Sequence, residues 1–279
     1  MGQNTIEEPQ LNYLLELFSE LGSMADNFVL VGAQAMRFMI NQPRITKDFD
    51  FVLDVIALRG MSQSVDEVLK KLHYEVVPEA RRFQFTKQIP NSPQKIRIEF
   101  LACEKERRPK NFRVDVQKHI HARACIGAEI VLRESDYQLI KGLLPNGKYT
   151  EVKLRVVHPH ALLMMKLLAM DDRYKNIRGP LEVKYDRNEA RVHAADITAI
   201  VHNHIQNSDF PKLFWSQFYE DNELKMRSKD IITNYFWGLD SPGIRLYAEF
   251  LQLQNMVVEE AELKRVVREV RFLLHHLAD

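Results

Sequence analysis

The sequence predicts an α+β fold in two parts, a mixed sheet flanked by helices over residues 1–157 and a helical bundle over residues 158–279. Three observations carry that expectation. Segments of the first part alternate apolar and polar residues with the period of two that a half-buried strand requires, at Asp48–Asp54, Arg82–Thr86 and Lys95–Leu101. After His158–Pro159 the pattern turns helical and stays so. No internal repeat or low-complexity linker lies between, and 10 Gly and 11 Pro among 279 residues leave no room for one.

Taken in order, Leu11–Leu21 places apolar residues at 11, 14, 15 and 18, one face of a helix. Phe28–Val31 is a short apolar run ending in Gly32, a buried strand, and Ala33–Ile40 reads as a helix. In Asp48–Asp54, Phe49, Phe51 and Leu53 fall on one side, and Asp48, Asp50 and Val52 on the other. Ser64 with Glu67 has the form of a capping box for a helix through Leu72. Lys95–Leu101 turns Ile96, Ile98 and Phe100 inward and Lys95, Arg97 and Glu99 outward. Further strands are expected at Glu129–Leu132 and Glu151–Val157. Helices then follow at His160–Met170, Asn188–Ile205, Pro211–Tyr219, Lys229–Phe236, Ile244–Leu253 and Val257–Leu277.

Composition excludes several classes. No apolar run reaches the 18 or so residues of a membrane span, and residues 1–20 do not read as a secretory signal. Two cysteines, Cys103 and Cys125, make neither a disulfide framework nor a four-cysteine zinc site, so the expected setting is the reducing cytoplasm. The net charge is +1, yet Glu79–Arg123 holds twelve Lys/Arg against five Asp/Glu, either a solvated face or one that meets phosphate. Histidines pair as His119/His121, His158/His160 and His202/His204, without the spacing of a zinc motif.

The chemistry centres on Asp48 and Asp50. Two apart on a strand, their carboxylates project side by side, either as the polar outer face of an amphipathic strand or as a pair that a hard divalent cation relieves. Gly32, between a buried strand and a helix, lets a phosphate approach the backbone and meet free N–H groups. Glu99 offers a third carboxylate from a second strand. Together these are the parts of metal-assisted phosphoryl or nucleotidyl transfer.

Val31-Gly32-Ala33-Gln34-Ala35-Met36 followed by Arg44-Ile45-Thr46-Lys47-Asp48-Phe49-Asp50-Phe51 resembles the signature of DNA polymerase β-like nucleotidyltransferases, and more narrowly that of the AbiEii/AbiGii toxin group. The resemblance extends to Glu99 in Ile96-Arg97-Ile98-Glu99-Phe100, to the proline-led helix His158–Lys166, and to Arg173 and Asp196-Ile197. Ala33 stands where many polymerase β-like enzymes have Ser, and His193 where group members tend to carry an acid. The resemblance implies a polymerase β-like core and transfer of an NMP from an NTP to an acceptor hydroxyl with release of pyrophosphate. Asp48, Asp50 and Glu99 would hold two Mg²⁺ ions, or Mn²⁺ in their place. Gly32, Ala33, Arg44, Thr46 and Lys166 would serve the nucleotide, and Arg173 and Asp196 would support them. Thr46 would either shape the strand entrance or touch a phosphate. The acceptor is open among RNA or tRNA, a protein and a small molecule, and an antitoxin protein is the implied partner. A non-catalytic nucleotide- or RNA-binding module is the alternative reading.

Lys166 has an independent reading. It interrupts Leu162-Leu163-Met164-Met165 and Leu167-Leu168-Ala169-Met170, a helix apolar nearly all round. An ammonium there needs a carboxylate or a ligand phosphate, unless its stem lies along apolar surface with the head in water.

Overall fold

The computed structural model describes residues 6–41, 43–44, 46–80, 82–106, 113–176, 179 and 182–277. Ile45, Arg81, Arg107 and Arg108, parts of the motif and of the basic stretch, lie outside the described residues. The chain divides into two compact units, Met1–His158 and Pro159–Asp279.

The first unit carries nine strands and five helices in its described residues. They are α1 (Gln10–Leu21), β1 (Phe28–Val31), α2 (Gly32–Met36), β2 (Asp48–Leu53), α3 (Val55–Arg59), α4 (Val65–Lys71), β3 (Glu75–Val76), β4 (Gln84–Gln88), β5 (Lys95–Cys103), β6 (Arg113–Gln117), β7 (Ile120–Cys125), α5 (Ala128–Arg133), β8 (Ser135–Leu143) and β9 (Tyr149–Val157). The strands form one mixed sheet in the order β3-β4-β5-β2-β1-β9-β8. β2 runs antiparallel to β1 and parallel to β5, with Asp50 opposite Val31 on one side and Glu99 on the other. β4 covers the free edge of β5 up to the Gln84–Glu99 pair, and β7 takes over that edge at Leu101–Cys103. β6 closes the branch as a hairpin with β7, so that Arg113 faces Arg123 and Asp115 faces His121.

Strand alternation separates core from chemistry. Phe49 and Phe51 are buried on the face opposite Asp48 and Asp50, and Phe51 packs against Phe18 of α1 and Phe28 of β1 with ring centroids 5.5 and 6.0 Å apart. Phe100 joins from β5, 5.8 Å from Phe28. Each such ring contributes about 1.5–3 kcal/mol of burial, so this cluster anchors the strands that bear the carboxylates. α1 buries Leu14, Leu15, Leu17 and Phe18, and its Leu11 and Leu15 lie against Gly142 of β8.

Three local expectations change. Glu129–Leu132 is not a strand but part of helix α5, begun by Gly127 at φ +80°. A short apolar run reads alike as buried strand or helix, and the left-handed glycine decides for the helix. The helix after Gly32 stops at Met36 and finishes in turns through Ile40, with Arg37, Phe38 and Met39 each donating to a carbonyl three residues back. Ser64 does begin α4, yet its side chain makes no capping hydrogen bond.

The second unit contains α6 (Pro159–Lys175), α7 (Val183–His204), α8 (Phe210–Ser216), α9 (Asn222–Phe236), α10 (Pro242–Leu253) and α11 (Glu260–Phe272). Two ion pairs on buried carboxylates join α6 to α7: Lys166 Nζ to Asp196 Oδ2 at 2.7 Å, and the partly buried Arg173 Nη1 to Asp186 Oδ1 at 3.1 Å. Asp171, also buried, accepts from Tyr235 Oη at 2.9 Å and pairs with Lys175 at 2.7 Å. Trp215 Nε1 donates to the Leu273 carbonyl at 2.6 Å and ties α8 to the chain beyond α11. No helix among the described residues is long and apolar enough to cross a membrane.

Candidate active site

The site begins where β1 ends. Gly32 adopts φ +69°, a left-handed conformation that side chains resist, and turns the chain directly into α2. The same residue leaves room for Asp50, since a Cβ at position 32 would stand 2.1 Å from Asp50 Oδ2. Glycine is therefore required twice, by backbone and by space. Ala33 is buried within α2.

A hydrogen-bonded strap leads into β2. The buried Gln34 side chain donates through Nε2 to the Thr46 carbonyl at 3.0 Å. Thr46 Oγ1 in turn accepts from the Asp48 backbone N–H at 3.4 Å. Thr46 thus stands at the entrance to β2. Asp48 and Asp50 then project from one face of β2, both partly exposed.

Charges around the carboxylates are arranged by strand register. Arg97, opposite Asp48 on β5, brings Nη1 to 3.9 Å from Asp48 Oδ2. The Asp48 carboxyl is nonetheless held above the usual carboxylate range, chiefly by burial; the Glu99 charge adds to this, and Arg97, Arg44 and Lys47 oppose it. Arg44 thus lies within electrostatic reach of Asp48. Glu99, in register with Asp50, is held from both sides: Gln84 Nε2 donates to Oε2 at 2.6 Å, and Arg123 Nη2 lies 2.7 Å from Oε1. The three carboxylates do not all come within 4.8 Å of one another, Glu99 being drawn toward β4 and β7.

These residues suit a divalent cation. The donors are hard carboxylate oxygens, and the Asp48 carboxyl, held up chiefly by burial and further by the Glu99 charge, gains a compensating charge from such an ion. Glu99 Oε1 is buried and accepts no hydrogen bond, its contact with Arg123 being an ion pair outside hydrogen-bond geometry. Two-metal sites space their ions about 3.5–4 Å apart, which spreads donors more widely than a single coordination sphere.

Structure and sequence differ most at the edges of this site. Gly32, Arg44, Thr46, Asp48, Asp50 and Glu99 gather around the β1–β2–β5 strands. Lys166, Arg173 and Asp196 belong to the second unit, where Lys166 and Arg173 have carboxylate partners of their own. Gln34 and Gln84 stand outside every role expected from the sequence, and Arg97 and Arg123 are there only as members of the basic stretch. The alternation that selected Glu99 also points Arg97 outward, but nothing local marks Gln84 or Arg123, which reach Glu99 only through strand pairing.

No curated protein matches the chain. The crystal structure of JHP933 from Helicobacter pylori aligns over 98% of this chain and 98% of its own, at 10% identity and a TM-score of 0.35, a likeness that carries no argument. The model of the family described as the nucleotidyl transferase AbiEii toxin of type IV toxin–antitoxin systems matches residues 16–261, which include the Gly32 turn, both aspartates, Glu99 and the Lys166 helix. The chain therefore belongs to the AbiEii nucleotidyl transferase toxin family and is a nucleotidyltransferase.

Proposed function

We propose that the protein moves a nucleoside monophosphate from an NTP to an acceptor hydroxyl on a polymerase β-like core, and that it does so as the toxin of a toxin–antitoxin pair. One observation carries the reading: Asp48 and Asp50 share a face of β2, Asp50 lies against Gly32, and Glu99 stands beside Asp50 on the parallel strand β5. The acceptor oxygen forms a bond to the α-phosphorus, the bond to pyrophosphate breaks, and the hydroxyl proton leaves to base or solvent. Asp48 and Asp50 would hold two Mg²⁺ ions, with Glu99 completing the ion on the acceptor side; Mn²⁺ fits the same oxygens. When bound, such ions neutralise the triphosphate and lower the pKa of the attacking hydroxyl.

The rest is done by the chain itself. Gly32 lets phosphate oxygens approach the backbone, with Ala33 following it in the turn. Arg44 balances charge as pyrophosphate leaves, and Lys166, steadied by Asp196 and with Arg173 further along its helix, is the second cation assigned to the nucleotide. Thr46 fixes the entry to β2.

An RNA acceptor, tRNA included, is favoured by one further observation. Lys95 and Arg97 share the outward face of β5 with Glu99, and Arg113 and Arg123 continue that charge on β6 and β7. RNA affinity then falls steeply with salt, because each neutralised phosphate releases counterions.

The test is to incubate the protein with an α-labelled NTP, Mg²⁺ and total RNA. Label on RNA that vanishes with chelator and with Asp50→Asn supports the proposal. Tight NTP binding without transfer to RNA, protein or small acceptors supports the non-catalytic module instead. Co-expression with the neighbouring reading frame tests the antitoxin partner, which should relieve growth arrest.

A further inference from the structure

We infer that Arg123 and Gln84 are positioning residues for Glu99, fixing the third carboxylate of the site from two different strands. The inference rests on the role proposed above for Glu99. A strand sets where a glutamate begins but leaves its three side-chain torsions free, so something else must aim the carboxylate. Here the topology supplies it. β4 and β7 share one edge of β5, and they meet at Glu99. Gln84 stands directly opposite Glu99 on β4 and donates to Oε2 at 2.6 Å. Arg123, in register with Leu101 on β7, reaches back to Oε1 at 2.7 Å.

Each oxygen of Glu99 thus has its own partner, while neither is saturated. A carboxylate offers about four lone-pair positions, and Gln84 takes one of them. Arg123 contributes charge without hydrogen-bond alignment, leaving Oε1 able to accept more. The Glu99 side chain is only 13% exposed, so an ionised carboxylate there needs a nearby cation. Arg97 does not fill that role, because it is turned toward Asp48. Groups that orient a metal-binding side chain in this way are worth about 10–100-fold in metal affinity or activity. The Arg123 side chain is 41% exposed, so shortening it opens no core cavity.

The test compares the parent with Arg123→Met, Arg123→Lys, Gln84→Leu and Glu99→Gln. Mn²⁺ binding is measured by calorimetry beside a non-hydrolysable NTP, and kcat and NTP KM are measured separately. Arg123→Met should lower kcat and weaken the weaker Mn²⁺ site by about ten-fold or more, with NTP KM within about two-fold of the parent. Arg123→Lys, which keeps the charge, should recover most of the Mn²⁺ affinity, and Gln84→Leu should show the same split more mildly. A structural role would instead lower the melting temperature and move both kinetic constants together. Parental Mn²⁺ affinity and kcat in Arg123→Met overturn the inference. So does tighter Mn²⁺ binding, which would make Arg123 a competitor of the ion. Should Arg123→Met fail to fold, Gln84→Leu and Arg123→Lys decide in the same way. If Glu99→Gln transfers at the parental rate, the role of Glu99 itself falls; if Glu99→Gln is inactive while Arg123→Met is parental, only the positioning role falls.

Discussion

Asp50 occupies the space that a side chain at Gly32 would need, its Oδ2 lying 2.1 Å from where a Cβ would stand. The tightest turn of the site and one of its carboxylates are therefore a single packing unit. Gly32→Ala should lower stability by about 1–2 kcal/mol through its left-handed backbone alone, and displace Asp50 as well. Gly147, at φ +81° in the β8–β9 turn with nothing within 4 Å, is the control. Thermal melts and transfer assays should find Gly147→Ala destabilised but active, and Gly32→Ala destabilised and inactive. An active Gly32→Ala enzyme would remove Asp50 from the chemistry.

Asp50 and Glu99 should fail differently. Asp50→Asn is expected to lose Mg²⁺-dependent NTP binding and transfer together. Glu99→Gln should keep much of the Mg·NTP affinity and lose most of its rate, as expected for a contact made chiefly in the transition state. Calorimetry with a non-hydrolysable NTP and a transfer assay on both variants read the difference. Equal losses of binding in the two would merge their roles.

The Asp48 carboxyl binds its proton more tightly in the folded chain, because burial and Glu99 outweigh Arg97, Arg44 and Lys47. Such a group costs no stability below its unfolded pKa and costs most above its folded one. Without added metal, Asp48→Asn should melt above the parent at pH 7, with the gap closing as pH falls toward about 4. A variant less stable than the parent at neutral pH would show that the pair with Arg97 outweighs the burial.

Lys166 and Asp196 form a buried pair, so Lys166→Met should cost roughly 3 kcal/mol by taking the ammonium from beside a carboxylate that is 2% exposed. Adding Asp196→Asn should restore most of that stability. The restored double variant then reports on the nucleotide alone. NTP affinity that stays low assigns Lys166 to the phosphates, and parental affinity confines it to holding α6 against α7.

Much of this architecture is legible from period alone, and each exception has a physical cause. Phe28–Val31 and Asp48–Leu53 emerge where strands are half or fully buried, because one face must be apolar. Asp48 and Asp50 emerge for the same reason, as polar residues facing away from Phe49 and Phe51. β8 does not, since Tyr137, Leu139 and Leu143 are exposed, so its alternation carries little contrast in polarity. β6 and β7 lie within the basic stretch, and their alternation of Val114, Val116 and Ala122 with Arg113, His121 and Arg123 spans only five and six residues. Arg123 and Gln84 are invisible for a different reason. Their relation to Glu99 exists only after β4 and β7 have chosen the same edge of β5, and no local pattern records that choice.

The pairing of β1 with β9 also sets a timetable for the newborn chain. β1 delivers Gly32, yet Val29 and Leu30 find their second neighbours only at Arg155 and Val156. Contacts so distant along the chain form slowly, because a long loop must close before they yield anything. During synthesis the ribosome must release nearly all of the first unit before that edge of β1 can be covered. A truncated toxin lacking β9 is thus left with an open strand beside its chemistry, and incomplete translation products should be harmless to the cell that makes them.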